Sequence, residues 1–175
     1  MVSNETIQTI LSRKSVRQFL PNPVPEDFIS SLLECARFAP SGLNNQPWRF
    51  IVVDDKEIQM QLSELTHYSD ILLSAPLSIS VFLDTSASYH REKDIAAIGA
   101  SIQNILLSAH SLGLGAVWLG EILKNKEKVS TVLNAPDSFE LIAVIAIGYP
   151  DGSDSKRTDR KELQELVWNN RFSKK

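Results

Sequence analysis

Three cationic side chains and a hydroxyl fall within five residues at Arg13-Lys14-Ser15-Val16-Arg17, in a chain whose formal net charge is -3. Guanidinium and ammonium groups beside a hydroxyl supply charge-assisted hydrogen bonds to the oxygens of a phosphate. A charge run by itself usually only solvates a face, so its pairing with a second stretch matters. That stretch is Ala39-Pro40-Ser41-Gly42-Leu43-Asn44-Asn45-Gln46-Pro47-Trp48, a loop of amides and hydroxyls running into apolar residues. Amide side chains combine donors and acceptors and suit the edge of a polar heterocycle. A ligand with a phosphate at one end and a polar ring at the other would use both stretches.

Other chemistries find less support. Gly113-x-Gly115 fails as a dinucleotide fingerprint, because Trp118 stands at the next glycine position and the motif follows a helical pattern instead of a strand. His67, His90 and His110 lack metal-ligand spacing. Ser153-x-x-Lys156 sits in a polar loop without the companion motifs of a serine acylase, and no Gly-x-Ser-x-Gly elbow occurs. The lone Cys35 excludes an intramolecular disulfide framework, and beside a helical apolar stripe it reads as a core residue. A sequence pI near 5.6 argues against a general nucleic-acid binder. No apolar run reaches membrane-spanning length, and the N-terminus lacks signal-peptide form, so a cytoplasmic protein is expected.

The elements that must position these stretches follow from periodicity. Ile7, Ile10 and Leu11 predict a short helix capped by Asn4 that delivers Arg13–Arg17 at its exit. Pro25-Glu26-Asp27 opens a second helix with Ile29, Leu32, Leu33 and Ala36 on its buried face. Residues 48–53 and 77–83 read as strands, with a helix bearing Ile58, Leu62 and Leu65 between them, capped by Asp54 or Asp55. The longest helix spans 94–112 and is apolar enough to need cover on several sides, some of it from a second subunit. A short strand at 116–119, a small helix around Val129 and Val132, and an apolar central strand at 140–148 follow. Asp159 with Glu162 predicts a capping box for a last helix bearing Leu163, Leu166 and Val167. The order of elements is that of an α+β fold, and residues 1–175 are expected to form one domain.

Arg13-x-Ser15-x-Arg17-x-Phe19 followed by Ala39-Pro40-Ser41-Gly42-x-Asn44-x-Gln46-Pro47-Trp48 resembles the paired signature of the nitroreductase family of FMN-dependent oxidoreductases. Asp94 opening a long helix, the stretch Gly113–Gly120 and Ile147-Gly148-Tyr149-Pro150 follow in the family's order, so the resemblance covers nearly the whole chain. It implies a nitroreductase-like fold, a central mixed or antiparallel β-sheet flanked by helices, in an intertwined homodimer with FMN at the subunit interface. It implies NAD(P)H as electron donor and a small-molecule acceptor such as a nitroaromatic or quinone, with no nucleic-acid or membrane partner. By resemblance Arg13 and Ser15 hold the FMN phosphate with Lys14 close by, and Arg17 lies nearer the pyrimidine side of the ring. Ser41, Gly42 and Asn44 match positions that reach the FMN of the neighbouring subunit, and Gln46 is partly structural. Leu119, Gly120 and Glu121 offer backbone contacts near the isoalloxazine, and either Arg160 or Arg157 supplies a C-terminal cation to the phosphate. Glu162 stands where the family often has proline. No protein group need be catalytic, since the hydride would be carried by flavin N5. Reductive dehalogenation, flavin consumption, or flavin binding without turnover are the alternatives.

Overall fold

The computed structural model describes residues 3–153 and 159–172. Helix α1 (Glu5–Ser12) begins where Asn4 Oδ1 accepts from the Ile7 amide at 2.9 Å, and ends at Arg13. Helix α2 (Glu26–Arg37) carries Glu26 and Asp27 in its first turn and Arg37 in its last, matching the helix dipole. Its Ile29, Leu32 and Ala36 are buried, and Leu33 is half-buried. Cys35 is exposed, against the expectation of a core position. At 3.6 residues per turn its side chain leaves the helix about 90° from the centre of the Ile29–Leu32–Ala36 arc.

Strand β1 (Trp48–Val53) leads to helix α3 (Lys56–Ser63), where Asp55 Oδ1 caps by accepting from the amides of Glu57 and Ile58. Helix α4 (Ser69–Ser74), unforeseen in the sequence, is too short to show a period. Strand β2 (Leu77–Asp84) is followed by helix α5 (Arg91–Ser111), which starts three residues before Asp94. Strand β3 (Gly115–Leu119), helix α6 (Lys126–Val132) and strand β4 (Phe139–Gly148) complete the sheet region. Helix α7 (Leu163–Leu166) is capped at Glu162 with Glu165, three residues later than the predicted box at Asp159. Glu165 reaches back to the Glu162 amide at 3.1 Å, a pairing that places the cap where the helical turn begins.

The strands pair in the order β1-β2-β4-β3, antiparallel throughout. Helices cover both faces of this sheet, which is why central β2 is buried at every position, Ser78 and Ser80 included, and β4 at most of its positions. On one face Ile79, Val81, Ile145 and Ile147 pack with Leu32 and Ala36 of α2 and Ile98, Ile102 and Ile105 of α5. On the other, Phe82, Val144 and Ala146 pack with Leu62, Leu72 and Val129. Among the described residues no helix is long and apolar enough to cross a membrane.

Candidate cofactor site

After α1 the chain runs beside β3 with its backbone pinned to it. Ser15 and Ala116 form a parallel bridge, and the Val16 amide donates to the Ala116 carbonyl at 3.1 Å. The approach is close enough that a Cβ on Gly115 would stand 2.6 Å from Val16 Cβ, so only glycine serves there. Phe19 then bridges to Pro150, and the Leu20 amide donates to the Tyr149 carbonyl at 2.8 Å. Val16 and Phe19 point into the core, while Arg13, Lys14 and Ser15 are half-buried and Arg17 is exposed. The stretch also leans on the end of α5, where Ser12 Oγ lies 2.8 Å from His110 Nε2. Burial, and then the charge of Arg13, hold the His110 imidazole below its ordinary pKa.

At the other end of β3, Leu119 is buried in the core and Gly120 is exposed. The Glu121 carboxylate is turned toward a neighbouring turn. It pairs with Lys124 and accepts from Thr66 Oγ1 at 2.7 Å and from the His67 amide at 3.0 Å. Lys124 and Thr66 together lower its pKa to about 2. Contacts from Gly120 and Glu121 to a ligand therefore fall to their backbone groups. Ala116 beside the basic stretch and Leu119 at the end of the strand are separated by three strand steps, about 10 Å, and Gly120 follows directly.

The amide loop lies elsewhere. Gly42–Asn44 makes one 3-10 turn, with Leu43 and Asn44 at φ 55° and Gln46 at φ 46°. Ser41 Oγ accepts from the Gln46 amide at 3.1 Å, and Gln46 Nε2 donates to the Asn44 carbonyl at 3.3 Å, so both side chains shape the loop. Asn44 is exposed. Asn45 Nδ2 donates to Asp94 at 2.9 Å, which docks the loop on the first turn of α5. Asp94 and His110 are sixteen residues apart on one helix, about 24 Å along its axis. Within one chain, then, Arg13, Lys14, Ser15 and Arg17 lie beside the start of β3 and Leu119, Gly120 and Glu121 at its other end, whereas Ser41, Gly42, Asn44 and Gln46 gather at the far end of α5.

Arg160 is exposed on the segment 159–172, and Arg157 lies outside the described residues. Asn45, Asp94 and Tyr89 belong to the loop's support and were missed as site residues in the sequence. An aspartate near a helix start looks like an ordinary dipole partner, and only the fold brings Asn45 to it. Two cavities lie away from both clusters. One of about 690 Å³ is lined by α6 and the start of β4, and one of about 460 Å³ by Val24, Ile29, Gln59 and Leu77 among others. Among the described residues no group of three His, Cys, Asp or Glu side chains could hold a metal.

Comparison with known proteins gives a consistent relation. The chain is 34% identical to a Methanothermobacter thermautotrophicus protein named NADH dehydrogenase/NAD(P)H nitroreductase, over 83% of this chain and 78% of that one. It is 33% identical to an iodotyrosine deiodinase of Thermotoga neapolitana, over 82% and 88%. A crystal structure of a nitroreductase in complex with FMN from Desulfovibrio desulfuricans superposes with a TM-score of 0.91 at 38% identity, covering 98% of this chain and all of that one. The family profile described as "Nitroreductase family" matches residues 10–68 and 59–149, and with the antiparallel sheet and the pinned basic stretch it follows that the chain belongs to the nitroreductase family.

Proposed function

We propose that this chain is an FMN-dependent NAD(P)H oxidoreductase, a single FMN-binding domain over residues 1–175 that works as a homodimer with two sites at the subunit interface. The observation that carries it is a basic, hydroxyl-bearing stretch and an exposed Gly120 one strand-length apart along β3. Arg13, Lys14 and Ser15 hold the phosphate by charge-assisted hydrogen bonds. Arg17 places positive charge beside the ring. Ser41, Gly42 and Asn44 of the second subunit complete the far side of the pocket, which accounts for two clusters that one chain keeps at opposite ends of α5. Exposed Phe38 (71%) and Leu43 (87%) near that loop support burial against another copy. Bound FMN supplies the redox chemistry, taking hydride from NAD(P)H and delivering electrons to an acceptor such as a nitroaromatic or quinone.

Purified protein is expected to be yellow, with about one FMN per chain, and to oxidise NAD(P)H when a nitroaromatic is added. A colourless preparation that also fails to take up FMN would overturn the cofactor assignment. FMN binding without NAD(P)H oxidation would indicate a flavin carrier. The deiodinase relative favours one second reading, reductive removal of iodide from an iodophenol, which iodide release from iodotyrosine under dithionite would detect.

A further inference from the structure

Asp94 is fully buried, and its carboxylate accepts four hydrogen bonds: from Asn45 Nδ2 at 2.9 Å, Ser88 Oγ at 2.6 Å, the Tyr89 amide at 3.2 Å and the His90 amide at 3.3 Å. One anion thereby ties the 41–46 loop, the turn before α5 and the helix itself together. Asn45 Nδ2 also donates to the Ala87 carbonyl at 3.1 Å, which commits the loop's amide to this support. Asn45 has ordinary helical dihedrals (φ -72°, ψ -16°), yet its neighbours Leu43, Asn44 and Gln46 all lie at positive φ. Leucine and glutamine rarely adopt that conformation unless the surroundings impose it. Tyr89, whose amide binds Asp94, closes the loop from the other side. A Cβ on Gly42 would stand 1.9 Å from the Tyr89 hydroxyl. The loop is thus held at Gly42 by Tyr89 and at Asn45 by Asp94 and Ala87, and between these points Leu43 and Asn44 project into solvent.

We propose that Asp94 and Asn45 are positioning residues that hold the left-handed Leu43–Asn44 corner in the shape in which it receives the flavin of the partner subunit. They touch no ligand themselves and act through the loop. This rests on the FMN assignment above, and it adds two residues to which that assignment gives no role.

Asn45→Ala removes the loop's donors while leaving Asp94 three partners. Amide hydrogen exchange over residues 42–46 is expected to accelerate, and the FMN dissociation constant to rise about thirtyfold, the equivalent of two hydrogen bonds. The midpoint potential of the bound flavin should fall and the thermal midpoint of the apoprotein drop by a few degrees, while exchange in β2 and β4 stays near wild type. Asn45→Ser keeps one donor and should fall between the two, so the series remains readable if the alanine variant folds poorly. Unchanged exchange over 42–46, or FMN affinity within about twofold of wild type at the same potential, would overturn the positioning role alone. Wild-type protein that binds no FMN would overturn the functional assignment and this proposal together, before any variant is compared.

Discussion

Arg13 and Arg17 occupy different points along β3, and substitutions should separate their tasks. Arg13→Ala is expected to weaken FMN binding by about 1.5–3 kcal/mol, the loss of a charge-assisted hydrogen bond, with little change in potential. Arg17→Gln should instead lower the flavin potential with a smaller effect on affinity. Titration with FMN and a redox titration of the bound flavin would check both, and equal effects of both on affinity would count against the assignment. Asp94 offers a test that needs no flavin. Burial raises its pKa, but the combined hydrogen bonds from Ser88, Asn45, His90 and Tyr89 outweigh this and hold it below the ordinary value of 3.8. Its stabilising effect is therefore present above that value and lost as pH falls through the folded-state pKa. Asp94→Asn should flatten the acid limb of the stability profile and cost about 1–3 kcal/mol at neutral pH, measured by urea unfolding across that range. The basic stretch and the amide loop could be picked out of the sequence because each concentrates one chemistry in a few neighbours. Asp94 could not, because its significance lies in what the fold packs around it.

The elements themselves were unevenly legible. β1, β2 and β4 stand out as apolar runs bounded by Pro47, Pro76 and Tyr149-Pro150, and residues 48–53 form the predicted strand without adjustment. α4 escaped notice because six residues hold less than two turns, and Cys35 was misplaced because adjacency to an apolar stripe is not membership of it. The segment between α1 and α2 has no regular structure of its own, so its position depends on the backbone contact with β3. Gly115→Ala puts a methyl 2.6 Å from Val16 Cβ, and overpacking of this kind costs about 1–3 kcal/mol. The variant should lose thermal stability and FMN affinity together, because the strain lifts the basic stretch from the strand that aims it. Adding Val16→Ala should restore part of both. Restored stability without restored affinity would show that the stretch is aimed by something other than β3.

For the whole molecule, the separation of the two clusters makes a genetic test available. Arg13→Ala and Asn44→Asp should each abolish or strongly weaken FMN binding in their own homodimers. In a mixed dimer one site collects both lesions while the other is built entirely from unmutated groups. Co-expressed chains carrying different affinity tags should therefore recover one occupied site per heterodimer, read as flavin absorbance per verified mixed pair. Recovery absent from such pairs would mean that both stretches serve one chain's site. The distance between the two stretches was not legible in the sequence, since no periodicity reports how far apart a fold will place two loops.

Helix α5 is, in these terms, a ruler. Its first turn carries the amide loop and its last turn abuts the basic stretch, so the residue count between Asp94 and His110 fixes their separation within a chain and, in the proposed homodimer, the offset at which two copies would close both pockets at once. Seven extra residues, close to two turns, would preserve every face of the helix yet move its ends apart by about 10 Å, and two-fold symmetry would impose the same misfit on both pockets. Conservative replacements on the outer face leave that spacing intact. In the proposed homodimer an insertion there would therefore disable both pockets of a protein that still folds, whereas substitutions that keep its length would not.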